Sequence, residues 1–346
     1  IFIPSICIEI ERQRLSGNDA TSYLRLCENK IRELIYDTNH GETGIIGRIK
    51  GDKINMFPSD LYWWSMSALG ILRKQSMQKN DYFKSLDNYY NYMSGKTSER
   101  NNEEDHEYFE PNWDPNFNIH LNFEKLSSLD FKLRSEEAHY LREKYLDYAE
   151  EHGQTMMAFI MSEYKSLKWD NLDWAQLAHS VDKHKTVSDS FKHDVKCAFR
   201  FRLYANLLSQ LYLVYLCRLK YSENSLQYNN AVDYLNEIVK DTTLQSSIKL
   251  FERWIYDTVG VDIDFFVNTW TVIKETGLDA DSLVSSEKME HLVKERELRK
   301  KGHKARLTHT ESRNNWGTND PYSGFLDYRL GTARVIARDI IRGLNA

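Results

Sequence analysis

The sequence predicts an all-α protein, a multi-helix fold of bundle type with few or no β-strands. Its 346 residues include only five prolines and fifteen glycines, the two residue types that most often interrupt helices. Long segments rich in Leu, Tyr, Lys and Glu lie between them. Aromatic residues make up 13% of the chain, which indicates a packed core rather than a disordered protein.

The N-terminal helical region of this prediction covers residues 1–94. Residues 6–36 are expected to hold two helices joined at Ser16-Gly17-Asn18, because asparagine and glycine favour turns. Residues 41–53 are expected to form a glycine-punctuated loop. The chain begins with an apolar run at Ile1 rather than with Met, so we expect that further natural sequence precedes it.

A third helix is expected to begin at Pro58, with Ser59 as its N-cap and Asp60 in its first turn. Gly70 would end this helix, since glycine commonly follows the last helical residue. A tyrosine-rich helix is then expected at residues 81–93.

Residues 95–120 are interpreted as an acidic linker. The acidic run at 103–107 and the prolines Pro111 and Pro115 oppose a regular helix there. A central helical core is expected over residues 121–285. From residue 135 onward, helices are expected at about 135–150, 154–167, 186–220, 226–240, 244–257, 262–274 and 286–301.

The most apolar run, residues 203–219, predicts a buried helix of this core. It contains Asn206, Ser209 and Gln210, which a membrane-spanning helix would not favour. The scattered cysteines form no metal-binding or disulfide pattern, and this favours a reduced, cytoplasmic protein. These cysteines are Cys7, Cys27, Cys197 and Cys217.

The last segment, residues 286–346, is expected to be helical, basic and packed on the core. Residues 294–342 carry twelve Lys/Arg against six Asp/Glu, whereas the rest of the chain carries 34 against 45, by difference from totals of 46 and 51. From Phe325 onward the spacing predicts an amphipathic helix. Its apolar side would hold Leu326, Leu330, Ala333, Ala337, Ile340, Ile341 and Leu344.

Three arginines, Arg334, Arg338 and Arg342, repeat every four residues on another side of that helix. Like charges at this spacing repel one another, so an anion is expected to face them. We call these three residues the arginine stripe. Before the helix, Trp316 and Tyr322 lie in a loop between two basic segments, where aromatic rings could stack on bases.

Basic segments on both sides of an aromatic loop are typical of surfaces that bind phosphate groups. The residues expected to bind nucleic acid or a partner protein are Arg296, Arg299, Lys300, Lys301, Lys304, Arg306, Arg313, Trp316, Arg329, Arg334, Arg338 and Arg342. Two other interpretations stay open. The basic face could pack on the acidic body through ion pairs, or it could serve a protein partner alone.

No catalytic motif accompanies these residues. Ser94-Gly95-Lys96-Thr97 ends like a phosphate-binding loop, but Tyr90 occupies the position of the required first glycine. Gly44 and Gly47 likewise do not complete a dinucleotide-binding pattern. Tyr62-Trp63-Trp64 is expected to pack in the core, with base stacking as the alternative.

Metal binding is also not expected from the histidine spacing. The segment with the densest histidines and aspartates contains His179, Asp182, His184, Asp189, His193 and Asp194. Their spacing does not bring ligands together on one helical turn. The sequence therefore predicts no metal and no cofactor.

Several motifs follow one another along the chain at residues 44–48, 57–64, 111–115, 131–143, 295–297, 304–307, 326–329 and 337–344. Taken together, they resemble an uncharacterised bacterial family, the domain-of-unknown-function family six-three-six-one. The resemblance spans nearly the whole chain. Family members have a further segment before the residue that corresponds to Ile1, and they carry a tryptophan where this chain has Leu330.

The resemblance implies a role in antiphage defence by association. Genes of the family lie beside those of helicases and phospholipase-D-like nucleases, in clusters that include relatives of DISARM. We therefore expect a non-catalytic helical subunit that binds DNA, or a nucleic-acid-processing partner of those classes, through its basic C-terminal face. The alternatives are a metal-dependent nuclease with dispersed carboxylates and a purely structural assembly factor.

Overall fold

The structure is a computed structural model of the whole chain. It describes residues 1–38, 56–94, 111–166, 172–248, 262–317 and 326–346, apart from the single residues 120, 122, 124 and 131. Several sequence predictions lie outside this described part. They concern the 41–53 loop, the motif after Ser94, the acidic run at 103–107, Tyr322 and Phe325.

The described residues form fifteen α-helices and confirm the all-α fold class. The helices are α1 (Phe2–Arg12), α2 (Gly17–Thr38), α3 (Pro58–Ala68), α4 (Lys79–Met93), α5 (Ser135–His152), α6 (Met156–Ser162), α7 (Trp174–Lys183), α8 (Asp189–Tyr221), α9 (Leu226–Val239), α10 (Thr242–Ile248), α11 (Ile263–Thr276), α12 (Ala280–Ser285), α13 (Glu287–Lys301), α14 (Thr310–Asn314) and α15 (Leu330–Leu344). Within the described ranges, β-pairing is limited to an isolated bridge between Leu72 and Trp113.

Two of these helices, α7 and α12, were not expected from the sequence. Both are short, and each begins at an aspartate whose carboxylate accepts a hydrogen bond from a backbone amide. Asp173 accepts from Gln176 at 2.7 Å, and Asp279 accepts from Ser282 at 2.9 Å. These N-caps stabilise both helices. Helix α12 has only six residues and is too short to show a clear apolar period, whereas α7 buries Trp174, Leu177 and Val181 at helical spacing, a signal that sequence reasoning missed.

The chain divides into two compact units. Unit 1 comprises Ile1–Asn171 together with Thr332–Ala346, and unit 2 comprises Leu172–Gly331. The basic segment 294–342 is therefore shared between the units. Its first part belongs to unit 2, whereas the arginine stripe belongs to unit 1.

The core of unit 1 includes α1, α2 and α4 together with Trp63 and Trp113. Glu11 lies at its edge, where its Oε1 accepts hydrogen bonds from the Tyr82 hydroxyl at 2.7 Å, Asn112 Nδ2 at 3.0 Å and Trp113 Nε1 at 3.1 Å. Burial raises the pKa of Glu11, although these hydrogen bonds oppose the shift. The network joins three separate parts of the sequence in one unit.

The beginning of α3 differs from the predicted cap. Phe57 is the N-cap residue, and its backbone amide donates to Asp60 Oδ2 at 2.9 Å. Ser59 is buried, and its amide donates instead to Glu28 Oε1 at 2.7 Å. The prediction of Ser59 as the N-cap was wrong because Pro58 already occupies the first helical turn. Gly70 follows the helix at a φ of +64°, as expected for a glycine stop.

Helix α8 is the centre of unit 2, and the prediction of a buried core helix is confirmed. The Tyr204 hydroxyl donates to Phe266 O at 2.9 Å, and the Tyr215 hydroxyl donates to Leu283 O at 2.8 Å. Gln210 Nε2 donates to Ala231 O at 2.9 Å, and Asn206 Oδ1 accepts from the Leu326 amide at 2.9 Å. These bonds satisfy polar groups that would be costly to bury unpaired.

No helix in the described ranges combines the length and the apolar character needed to cross a bilayer. All four cysteines are buried and free of disulfides.

The C-terminal helix α15 begins at Leu330, five residues later than predicted. Tyr328 and Arg329 have φ angles of +46° and +59°, which interrupt helical backbone directly before it. The predicted apolar side is confirmed from Leu330 onward. Its buried members are Leu330, Ala333, Ala337, Ile340 and Ile341.

Gly343 marks the closest packing of α15 in unit 1. A Cβ atom there would lie 2.7 Å from Ala138 Cβ and 2.9 Å from Leu133 O. We expect Gly343→Ala to destabilise unit 1 by about 1–3 kcal/mol, because backbone and a short side chain cannot move aside. Chemical denaturation combined with hydrogen exchange in α5 would measure the effect.

Gly331 in the same helix supplies the matched control. A Cβ there would meet only Asp327 Oδ2, at an ordinary contact distance of 3.4 Å. Gly331→Ala should be neutral or stabilising by up to about 1 kcal/mol, because alanine favours helix. Equal losses of stability in the two variants would contradict the packing explanation.

Candidate functional site

Unit 2 contains a cavity of about 570 Å³ that brings five of the predicted site residues together. These are Arg296, Lys300, Lys301, Arg306 and Trp316. The apolar part of its wall comes mainly from α8, α11 and α13. Its apolar residues are Phe201, Ala205, Leu208, Leu213, Leu216, Phe265, Phe266, Val293 and Leu326. The site is thus apolar inside with cations beside it.

Helix α13 positions most of these cations. Ser286 Oγ accepts from the Met289 amide at 3.2 Å and so caps the helix at its start. Arg299, Lys300 and Lys301 occupy the last turn, where the negative end of the helix dipole favours positive side chains. Gly302, at a φ of +52°, then ends the helix. The local sequence therefore concentrates positive charge at one point of unit 2.

Asp262, at the beginning of α11, pairs with three of these cations. Its carboxylate lies 2.9 Å from Lys300 Nζ, 3.1 Å from Arg299 Nη2 and 3.6 Å from Arg296 Nη2. The hydrogen bond from Lys300 and the neighbouring positive charges hold the pKa of Asp262 below its usual value. One carboxylate cannot neutralise three cations, so positive charge remains.

Glu297 organises the other side of the site. It is 6% exposed, and its carboxylate accepts from the Tyr212 hydroxyl at 2.7 Å, the Leu307 amide at 2.9 Å and the Arg306 amide at 3.0 Å. Lys301 Nζ also donates to it at 3.0 Å. Burial by itself raises the pKa of Glu297, but these donors outweigh burial and the pKa lies below its usual value.

Arg296 lies between the ionic and the apolar parts of the site. Its guanidinium carbon is 4.6 Å from the ring centre of Phe265 and 5.4 Å from that of Phe266. Its Nε is buried without a hydrogen-bond partner in the described residues. The arginine therefore stacks on aromatic rings while a donor stays unused.

We call Arg296, Arg299, Lys300, Lys301 and Arg306 the basic cluster. In the described part of the chain, its ion pairs involve two carboxylates, Asp262 and Glu297. Five positive charges against two negative charges indicate a site that favours an anion. The interpretation that the basic face neutralises itself thus describes only part of this cluster.

Trp316 is half-buried and packs on the unit 2 core. Its ring centre is 6.2 Å from that of Tyr221, and Lys220 Nζ lies 5.4 Å from its ring centre. The Lys220 ammonium also donates to the Trp316 carbonyl. The indole therefore has one side engaged by the protein and lines the cavity as part of its wall.

The other predicted site residues lie apart from the cavity wall. Lys304 and Arg329 are exposed, and Arg313 Nη1 donates to the Arg306 carbonyl at 3.1 Å. In the arginine stripe, Arg342 is exposed, Arg334 is half-buried and Arg338 Nε lies 3.6 Å from Asp339 Oδ1. The stripe belongs to unit 1 and the basic cluster to unit 2.

Three residues of this site were missed by sequence reasoning: Tyr212, Asp262 and Glu297. The spacing of Glu297 and Lys301, four residues apart on a predicted helix, could have indicated their ion pair. Tyr212 and Asp262 are far from them in sequence, so no local pattern could have placed them there.

Within the described residues, no group of three or more His, Cys, Asp or Glu could hold a metal ion. His179 and His193 are exposed, and His193 Nε2 lies 3.4 Å from Cys197 Sγ. His184 Nδ1 lies 3.3 Å from the Thr186 hydroxyl.

The three adjacent aromatic residues of α3 have different surroundings. Trp63 is 3% exposed, and its indole donates to Met77 O at 2.8 Å. Tyr62 and Trp64 are 51% and 57% exposed. The prediction of core packing is confirmed for Trp63 and wrong for its two neighbours, because a helix of 3.6 residues per turn cannot bury three consecutive side chains on one face.

Fold and site define an all-α protein with a cation-rimmed apolar cavity. No protein-family model matches the chain, and no curated protein or solved structure is significantly similar to it. The resemblance to the domain-of-unknown-function family therefore stays a prediction from motifs.

Proposed function

We propose that this protein is a non-catalytic helical subunit of a bacterial antiphage defence system that binds nucleic acid through the basic cluster and Lys304. The observation that supports the proposal most directly is the excess of positive charge at the end of α13. Phosphate groups would supply the missing negative charge, and arginine can donate two hydrogen bonds to one phosphate.

The exposure of these side chains also supports the basic cluster and Lys304 as the surface that binds nucleic acid. Arg299 is 59% exposed at its side chain, Lys300 and Lys301 are nearly half exposed, and Lys304 is exposed. Such side chains can exchange a partial ion pair for a phosphate with little loss of buried structure. The arginine stripe is a less favourable surface because Arg334 and Arg338 are half-buried.

The defence setting comes from the family resemblance. It implies partners that process nucleic acids, such as a helicase or a phospholipase-D-like nuclease. In this proposal the protein contributes affinity for DNA, and the partner contributes the chemistry. No cofactor is needed for that task.

The test is binding of the full chain to labelled duplex DNA of mixed sequence at several salt concentrations. We expect the affinity to fall steeply with salt, because bound phosphates release counterions. The triple variant Arg299→Gln/Lys300→Gln/Lys304→Gln should make the negative slope of log affinity against log salt shallower. The magnitude of the slope should fall by about 0.9 for each phosphate that the variant no longer neutralises.

Lys288→Gln, at the other end of α13, is the control and should leave the slope unchanged. Arg334→Gln/Arg338→Gln/Arg342→Gln should have the smaller effect of the two triple variants. Absence of DNA affinity at low salt would overturn the proposal. If the Arg299/Lys300/Lys304 variant had the same slope as the unaltered chain, the basic cluster would not be the surface that binds DNA. Metal-dependent degradation of the DNA would instead indicate the nuclease alternative.

A further inference from the structure

The interior of the unit 2 cavity is not explained by contact with phosphates. Most of the residues that surround it are aliphatic or aromatic. Its volume of about 570 Å³ lies within the range of about 300–1,000 Å³ that is typical of small-molecule sites. A phosphate backbone on the exposed cations would leave this space unfilled.

Few polar groups are available inside the cavity. Ser209 is the one hydroxyl there without a structural hydrogen bond among the described contacts, since the Tyr212 hydroxyl already donates to Glu297 at 2.7 Å. A nucleobase has several donors and acceptors on its edge, and burying them without partners is costly. Apart from Ser209, the unpaired buried donor on the described part of this wall is Arg296 Nε, so the interior favours a ligand body with few or no hydrogen-bonding groups.

The positive charge at the cavity wall also restricts which ligands fit. Lys300, Lys301 and Arg306 line the same cavity as Phe265 and Phe266. Because the basic cluster exceeds its two carboxylates, the site has capacity for at least one more negative charge. The fitting ligand thus has an apolar body and an anionic head at one end.

We propose that the cavity binds a small amphiphilic carboxylate of the medium-chain fatty acid class. Its hydrocarbon chain lies against α8 and α11, and its carboxylate faces the cations that line the cavity, which include Lys300 and Arg306. Chain burial supplies most of the affinity, and the ionic contact selects the acid over neutral compounds of equal length. The proposal goes beyond nucleic-acid binding and does not depend on it.

The experiment is isothermal titration calorimetry of the full chain, without DNA, with hexanoate, octanoate and decanoate as probes. Each added methylene should lower Kd about fourfold, which corresponds to about 0.8 kcal/mol of transfer free energy. Octanol should bind more weakly than octanoate. A Kd that does not change with chain length would overturn the proposal.

Two variants locate the ligand. Ser209→Phe fills the cavity from α8 and should abolish binding, whereas Lys300→Gln/Arg306→Gln should weaken octanoate but leave octanol little changed. Lys288→Gln, outside the cavity, should bind octanoate like the unaltered chain. Circular dichroism verifies that each variant is folded, and if Ser209→Phe does not fold, the Lys300/Arg306 pair decides the result.

Adenosine monophosphate serves as the competing probe. Tight binding of this nucleotide that Ser209→Phe removes would identify a nucleotide site and overturn the carboxylate proposal. Octanoate binding that survives both cavity variants would place the ligand elsewhere and overturn it as well.

Discussion

Glu297→Ala should lower the free energy of unfolding of unit 2 by about 3–5 kcal/mol, because it removes the acceptor of a buried charged network. The Tyr212 hydroxyl and the amides of Arg306 and Leu307 would lose their partner, and Lys301 would lose its counter-charge. Urea denaturation, followed by hydrogen exchange of the α13 amides, would measure the loss.

The pH dependence of this contribution has a definite sign. The pKa of Glu297 is lower in the folded protein than its usual value of 4.5, so the folded state favours the charged form. The contribution is fully present above pH 4.5 and is lost as pH falls through the folded pKa. As pH falls from 4.5 through the folded pKa, the free energy of unfolding of the Glu297→Ala variant should therefore decrease less than that of the unaltered chain.

Glu295→Ala is the matched control, since Glu295 is exposed on the same helix. It should change stability by no more than about 0.5 kcal/mol. If Glu297→Ala were as mild as this control, the hydrogen-bond network would not hold the residues after α13 in place.

Trp63→Ala should destabilise unit 1 by about 3–5 kcal/mol, because it leaves a large cavity in a packed core. Its ring centre lies 5.4 Å from that of Tyr82 and 6.0 Å from that of Trp113. The variant also removes the donor to the Met77 carbonyl. Thermal and chemical denaturation would report the loss.

The neighbouring residue gives a control of the same size. Trp64→Ala removes an indole that is largely in solvent and should change stability by about 0.5 kcal/mol or less. A comparable loss from the two tryptophans would mean that Trp64 is packed against part of the protein, contrary to its exposure. The comparison tests the orientation of α3 directly.

Helices and their buried faces were the part of this molecule most readily predicted from sequence. The apolar spacing in α15 identified Ala337, Ile340 and Ile341 correctly, because a helical period is a local property. The start of that helix was predicted too early because two left-handed residues precede Leu330. Short capped helices such as α12 were missed because too few residues show the period.

The cap of α3 illustrates a different kind of error. Ser59 has the side chain of a good N-cap, but its amide is engaged by Glu28, a residue of α2. At the start of the helix, the Asp60 carboxylate instead accepts a hydrogen bond from the Phe57 amide. The tertiary contact with Glu28 thus reinforces a local signal, because proline favours the first helical position and so places the N-cap at Phe57.

The sequence alone determined that this protein is helical and that its positive charge is concentrated near the C-terminus, since both depend on neighbouring residues. Tertiary structure decided which cations share a site. It divided the basic segment between two units and placed Asp262, Tyr212 and the aromatic rings of α11 beside the end of α13. The physical reason is that ion pairs and cavities depend on distances between residues far apart in the chain, which local spacing does not encode.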